Sequence, residues 1–148
     1  MRSRLRTWTL AIAAVVALMA TTACGGSPTV PDGFDVPSLQ TTDLLIGTGA
    51  EATVGRTVAV HYAGFIYNPS ATANKGALFD SSAGRAPLSF TMGTAQVVPG
   101  FDQGIRGMKV GGKRNIVIPS ALAYGSGGNP PIPPNSAIIF DVELVSVQ

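Results

Sequence analysis

The chain has 148 residues, of which 12% are charged: 10 Lys and Arg against 8 Asp and Glu, with one His and one Cys. A single cysteine excludes a disulfide within the chain and a zinc–thiolate cluster, and one histidine with scattered carboxylates gives no metal-ligand spacing, so neither metal nor cofactor is expected. No basic run lies beyond the N-terminus, so nucleic acid is not an expected partner.

The N-terminus reads as an export signal. Arg2, Arg4 and Arg6 precede an uncharged stretch, Trp8–Ala20, which ends in the small residues Thr21, Thr22 and Ala23 before Cys24. A basic start, an apolar run of about 7–15 residues and small residues before a cut are the marks of a secretory leader. A membrane span needs roughly 18–20 apolar residues, and this run is shorter and rich in Ala. Residues 1–23 are therefore expected to leave. Their three arginines leave with them, so 7 basic residues face 8 acidic ones in the remainder. Thr-Thr-Ala-Cys resembles the lipobox of bacterial lipoproteins, although Thr21 stands where that motif usually has leucine. The resemblance implies acylation at Cys24 and an extracytoplasmic protein held to the membrane by its lipid. Residues 24–41 run GGSPTVPDGFDVPSLQT after the cysteine, with no apolar period, and read as a flexible tether. One domain is expected over residues 42–148.

Within it, Asp43–Ile46 is a short strand candidate, followed by the turn formers Gly47-Thr48-Gly49. Thr57–Tyr67 alternates: Val58, Val60 and Tyr62 share one face, Thr57, Ala59, His61 and Ala63 the other, which predicts a strand. Asn68–Gly76 is polar and reads as a loop, and Leu78–Asp80 and Pro87–Met92 are further short strands. In Pro99–Met108, Phe101, Ile105 and Met108 recur at helical spacing behind a proline suited to the first turn. Gly104 and Gly107 weaken that helix. After a turn at Lys109–Gly112, Lys113–Pro119 returns as a strand. Ser120–Asn135, SALAYGSGGNPPIPPN, is a Gly/Pro loop with one aromatic residue, Tyr124. Ala137–Val147 alternates Ile138, Phe140, Val142 and Leu144 against Ile139, Asp141, Glu143 and Val145 and is the strongest strand. The sum is an α+β domain, a mostly antiparallel sheet with one helix across one face.

Nucleophilic chemistry has no foothold. His61 lies between Val60 and Tyr62 on a strand, there is no G-x-S-x-G elbow, and Gly125-Ser126-Gly127-Gly128 opens no helix and has no lysine for phosphate. What stands out is that Tyr62, Phe79, Phe90, Phe101, Tyr124 and Phe140 come from six separate elements. They can be core alone. Two tyrosines and Asp80 beside them would need hydrogen-bond partners if buried, and an aromatic core with polar edges can also be a concave pocket.

Val60-His61-Tyr62-Ala63-Gly64, Leu78-Phe79-Asp80-Ser81-Ser82, Val97-Val98-Pro99-Gly100-Phe101, Met108–Arg114, Ala123-Tyr124-Gly125, Ile132-Pro133-Pro134-Asn135 and Phe140–Leu144 occur in this order. Together they resemble the FKBP-type peptidyl-prolyl cis–trans isomerases over about residues 42–148. The resemblance implies a five- or six-stranded antiparallel sheet wrapped around one short helix. It implies rotation about X-Pro bonds in proline-containing polypeptides, a monomer, and inhibition by a rapamycin-type macrolide. Tyr62, Asp80, Phe101 and Tyr124 would then be the catalytic set, with Phe101 as floor where many members have tryptophan. Phe79, Arg85, Leu88, Phe90, Gln96, Val97, Val98, Ile132 and Phe140 would bind substrate, Leu88 and Gln96 standing where an aromatic residue and a glutamate are frequent. Arg85 would join a network with Asp80 and Tyr62. Two other readings use the same residues: a tethered module that grips proline segments without useful catalysis, and a purely structural lipoprotein.

Overall fold

A computed structural model describes residues 32–148. The expected leader, Cys24 and the first part of the expected tether lie outside the described residues. Six strands form one sheet: β1 Gln40–Leu45, β2 Thr57–Tyr67, β3 Lys75–Ser81, β4 Leu88–Thr91, β5 Lys113–Ile118 and β6 Ile138–Val147. Every pairing is antiparallel. The order is β1-β5-β6-β2-β3, and β4 also pairs with β2. β2 is long enough to take two partners along one edge: Thr57–Val60 pairs with β4, and Ala63–Tyr67 with β3. Among the described residues there is one α-helix, α1 Pro99–Ile105, which packs across the inner face.

The alternation read in β2 and β6 sets this face. Val58, Val60, Ile138, Val142 and Leu144 are buried with Ile116 and Ile118 of β5 and with Phe101 and Ile105 of α1. The outer face keeps the polar half of the same alternation. Asn115 and Asp141 are directly paired across β5 and β6, and Asn115 Nδ2 donates to Asp141 Oδ1 at 2.8 Å. Lys75 also reaches Asp141, and Lys113 pairs with Glu143 at 3.4 Å.

α1 can lie close to the sheet because two of its residues have no side chain. A Cβ on Gly100 would stand 2.2 Å from Ile118 Cγ2, and one on Gly104 would stand 2.5 Å from Ile116 Cγ2. The glycines that lower helix propensity are thus what seats the helix. α1 stops three residues short of the expected end. Arg106 leaves helical geometry at ψ 135°, and Gly107 follows at φ +77°. Met108 is still buried in the core, so its apolar spacing reported burial and not helix. Arg114 Nη1 donates to the carbonyls of Gly104 and Arg106, while its Nε donates to Asp43 Oδ1 at 2.6 Å. One guanidinium therefore closes the helix end and ties β1 to β5.

Three further boundaries differ from expectation. β1 begins at Gln40, ahead of Asp43, because Gln40–Asp43 continues the ladder with β5. Lys75 and Gly76, read as loop, open β3. Asp32–Leu39, read as the end of a tether, lies against the domain: Gly33 N–H donates to Pro134 O at 2.9 Å, and Leu39 packs on the core. Composition gave the segment no apolar period, yet backbone hydrogen bonds need none.

Candidate active site

On the helix side of the sheet is a cavity of about 320 Å³, lined by Tyr62, Phe79, Asp80, Leu88, Gln96, Val97, Val98, Phe101, Tyr124 and Phe140. Phe101 comes from α1, Tyr62 and Phe140 from the neighbouring strands β2 and β6, and Phe79 and Asp80 from β3. Successive residues of a regular strand point to opposite faces, so Phe79 and Asp80 could not both face one cavity. They do so here because the register slips: Gly64 pairs with Asp80 but Phe65 pairs with Leu78, leaving Phe79 as the extra residue of a bulge.

The rings interlock at their edges. Phe101 and Phe140 have centroids 4.7 Å apart at 67°, Phe79 and Phe140 5.6 Å apart at 79°, and Tyr62 and Phe101 6.1 Å apart at 76°. Such edge-to-face pairs fix ring orientation beyond simple burial. Gly64 makes room for them. A Cβ there would fall 2.7 Å from both Phe140 Cε1 and Phe79 Cζ.

The polar side of the cavity is one connected group. The Tyr62 hydroxyl donates to Asp80 Oδ2 at 2.6 Å, and Asp80 Oδ1 accepts from Ser81 N–H at 2.8 Å and from Arg85 Nη2 at 3.2 Å. Arg85 is held in turn by the Ser81 carbonyl at 2.6 Å. The Tyr62 hydrogen bond comes first among the causes that keep the Asp80 carboxyl below its ordinary range, followed by Ser81 N–H and Arg85 against an opposing burial effect. The Tyr62 phenol is pushed up to about 12, by burial first and then by its acceptor, Asp80. At neutral pH the pair is thus a neutral phenol bonded to a carboxylate. Ser82 sets the base of this arrangement, since its buried Oγ accepts from Tyr62 N–H at 2.9 Å and lies 3.0 Å from His61 Nδ1. His61 is structural in position: it faces away from the cavity and props the residue that fixes Tyr62.

Three residues expected at the site lie just off it. Phe90 is buried behind the floor, its ring 5.9 Å from that of Phe101 and tilted by 44°. Ile132 is 3% exposed and belongs to the core, because the turn closed by Asn129 N–H to Ile132 O and Ile132 N–H to Asn129 O directs it inward. Arg85 is exposed and reaches the cavity only through Asp80. Gly64 and Ser82 were not singled out by the sequence reading, although both fall within the quoted motifs. For Gly64 the local signal was a small residue amid aromatic and β-branched ones; Ser82, among Ser81, Ala83 and Gly84, had none.

Val98 precedes α1, and its carbonyl accepts from the Phe101 and Asp102 N–H groups. A larger and more open depression, about 470 Å³, lies on the outer face beside His61, Ala63, Lys113, Asp141 and Glu143. Its charged side chains are already paired, Lys113 with Glu143 and Asp141 with Lys75, and it lacks the cluster of interlocked rings, so the smaller aromatic cavity is the better site. Among the described residues, no three His, Cys, Asp or Glu side chains converge on a metal position.

The family model for "FKBP-type peptidyl-prolyl cis-trans isomerase" matches residues 49–145. An FK506-binding protein of Neisseria meningitidis serogroup A is 46% identical over 112 residues, 74% of this chain and 96% of its own length. FK506-binding protein 4 of Dictyostelium discoideum is 47% identical over 119 residues, 80% of this chain but 29% of that protein. The crystal structure of FkpA from Escherichia coli aligns with a TM-score of 0.63 at 40% identity, covering 74% of this chain and 48% of that one. The chain thus spans nearly all of some relatives and less than half of others.

Proposed function

The chain belongs to the FKBP-type peptidyl-prolyl cis-trans isomerase family, and on that premise we propose that it accelerates rotation about X-Pro bonds in polypeptide segments bound in the aromatic cavity. The observation that carries this reading is the cavity itself, a ring-floored hollow of about 320 Å³ with one polar side. Rotation about a peptide bond meets a barrier of roughly 18–20 kcal/mol, set by amide resonance. No covalent bond breaks, so no nucleophile is required. The planar amide is more dipolar than the twisted one, because resonance moves charge from nitrogen to oxygen. Water therefore favours the planar form, and transfer to an apolar cavity removes that preference. A barrier lowered by about 6–8 kcal/mol corresponds to roughly 10⁴–10⁶ in rate.

In this reading Phe101 is the floor under the proline ring, and Phe79, Phe140 and Leu88 are the walls. Val97 and Gln96 close one side. Val98 N–H and the Tyr124 hydroxyl are donors for carbonyls of the bound peptide, and Asp80 polarises the remaining side through Tyr62. A protease-coupled assay of an X-Pro peptide, with and without FK506, is the test. Acceleration that the macrolide abolishes is expected. Macrolide and peptide binding without acceleration would leave a proline-segment binding module, and the absence of both would overturn the reading of the cavity.

The export and anchoring of the chain are part of the same proposal. The basic start, apolar run and Thr-Thr-Ala-Cys sequence support cleavage before Cys24 and acylation there. Two or more acyl chains hold stably, since each buried CH₂ contributes about 0.8 kcal/mol. Its clients would then be proline-containing segments of exported polypeptides. Intact-mass measurement of the membrane fraction is expected to give a chain starting at Cys24 with added acyl mass. A Cys24 start without it excludes the anchor.

A further inference from the structure

Asp32–Asp35 touches both ends of the Gly/Pro loop that carries Tyr124. At the start of the loop, Asp35 accepts twice from Ser120, through the backbone N–H at 2.8 Å on Oδ1 and through the hydroxyl on Oδ2. At its end, Gly33 N–H donates to Pro134 O, Ala137 N–H donates to Phe34 O, and Asn135 Nδ2 donates to Asp32 Oδ1 at 3.0 Å. Asn135 closes the neck, because its own N–H donates to Gly125 O at 2.9 Å. Tyr124 stands between the two fixed points, with Ser120 four residues before it and Gly125 immediately after. The strap also lies flush on the loop's exit: a Cβ on Gly33 would stand 1.9 Å from Ser136 Oγ.

From this geometry we infer that Asp32–Asp35 is a strap that positions Tyr124 over the cavity, with Asp35 as its positioning residue. Ile132, buried in the core behind its turn with Asn129, fixes the far half of the loop, whereas Leu122, Ala123 and Tyr124 in the near half are only partly buried against the core. The loop's one-turn helices, Ser120–Leu122 and Gly125–Gly127, carry no side-chain cap, and its glycines at 125 and 128 have positive φ. Short, glycine-rich backbone of this kind samples many conformations unless its ends are fixed. The strap fixes both ends from outside the sheet, and none of its hydrogen bonds goes to a residue that lines the cavity. It therefore acts on how well Tyr124 is presented to a ligand and leaves the aromatic floor alone. The consequence for turnover rests on the isomerase reading above; the consequence for loop order does not.

The test compares the full chain with its Asp35→Ala, Asp35→Asn and Gly33→Val variants in three measurements: X-Pro isomerisation, FK506 binding, and backbone hydrogen exchange. Asp35→Ala is expected to raise KM and the FK506 Kd about fivefold with kcat within about twofold, the signature of binding lost equally from the bound substrate and the transition state. Exchange at residues 121–129 is expected to quicken about tenfold while β2 and β6 keep their protection. Gly33→Val displaces the strap without removing the carboxylate and should act in the same direction. Asp35→Asn keeps an acceptor for Ser120 N–H and should fall between wild type and Asp35→Ala. Loop exchange that is unchanged in both Asp35→Ala and Gly33→Val, or quickened equally in loop and sheet, overturns the inference. A wild-type chain that neither isomerises nor binds would sink the isomerase reading instead, and the loop-exchange comparison would still decide the strap.

Discussion

The short contact between the Tyr62 hydroxyl and Asp80 has a pH window that follows from its two titrations. The folded Tyr62 phenol titrates near 12 in place of 10.0. Its contribution to stability is therefore complete below pH 10 and is lost as pH rises towards 12. The folded Asp80 carboxyl is lowered, so its contribution is present above the ordinary carboxylate value and is lost as pH falls through the lowered one. Tyr62→Phe should therefore lose less stability than the wild type between pH 10 and 12 in urea titrations, and equal losses would show that Tyr62 is not the group responsible. Asp80→Asn keeps an acceptor for Tyr62 but removes the charge and the attraction for Arg85. We expect kcat/KM to fall about tenfold, or roughly 1.4 kcal/mol, with the fold intact by circular dichroism. An unchanged value would confine Asp80 to holding Tyr62 in place. These side chains were legible because Tyr62, Asp80, Phe101 and Tyr124 stand in recognisable motifs. The supporting Ser82 was not, because a serine after a strand has many ordinary uses.

Helix α1 shows why local propensity misleads at the level of an element. Gly104→Ala would favour an isolated helix by about 1 kcal/mol. Here the new methyl meets Ile116 Cγ2 at 2.5 Å, in a core where Ile116 is fully buried. Overpacking of this kind costs typically about 1–3 kcal/mol, so the substitution should lower the unfolding free energy on balance. A stabilised variant in denaturant titration would show that α1 can lift away from β5 without penalty. The strands were easier to read, since the period-two pattern of β2 and β6 states which side chains go inward. The bulge in β3 was not readable, because nothing in Leu78-Phe79-Asp80 marks Phe79 as the residue without an opposite partner. That single slip puts Phe79 and Asp80 on one side and so makes the cavity wall both apolar and charged.

The whole molecule is a sheet whose two faces have separate duties. The inner face holds the core and, at one end, the cavity; the outer face carries paired charges around a shallower, open depression. Among the described residues, no helix is long and apolar enough to cross a membrane. Asp32–Leu39 is bound to the domain through the Gly/Pro loop. A chain starting at Asp32 is expected to match the full chain in urea unfolding, whereas one starting at Gln40 loses the five strap hydrogen bonds at the Gly/Pro loop. The net loss should be about 1–3 kcal/mol, because most of each bond's energy is offset by rehydration. Equal stability of the two truncations would make the strap a passive neighbour. If Cys24 is acylated as proposed, eight residue steps to Asp32 reach at most about 30 Å. Asp32, and with it the strap's contact with Asn135, would then stay near the lipid surface.

By itself the sequence determined the class of fold, the two faces of the long strands, and the aromatic and acidic side chains from which a site is built. Those properties are carried by residue type and by spacing along the chain. Only the tertiary structure decided that Phe90 and Ile132 back the cavity without lining it, that Phe79 and Asp80 share one side of it, and that a segment resembling a linker ties down the Gly/Pro loop. Each of these depends on the pairing of residues distant in sequence. A strand's register and a carboxylate's partner across 85 positions leave no local periodicity to read.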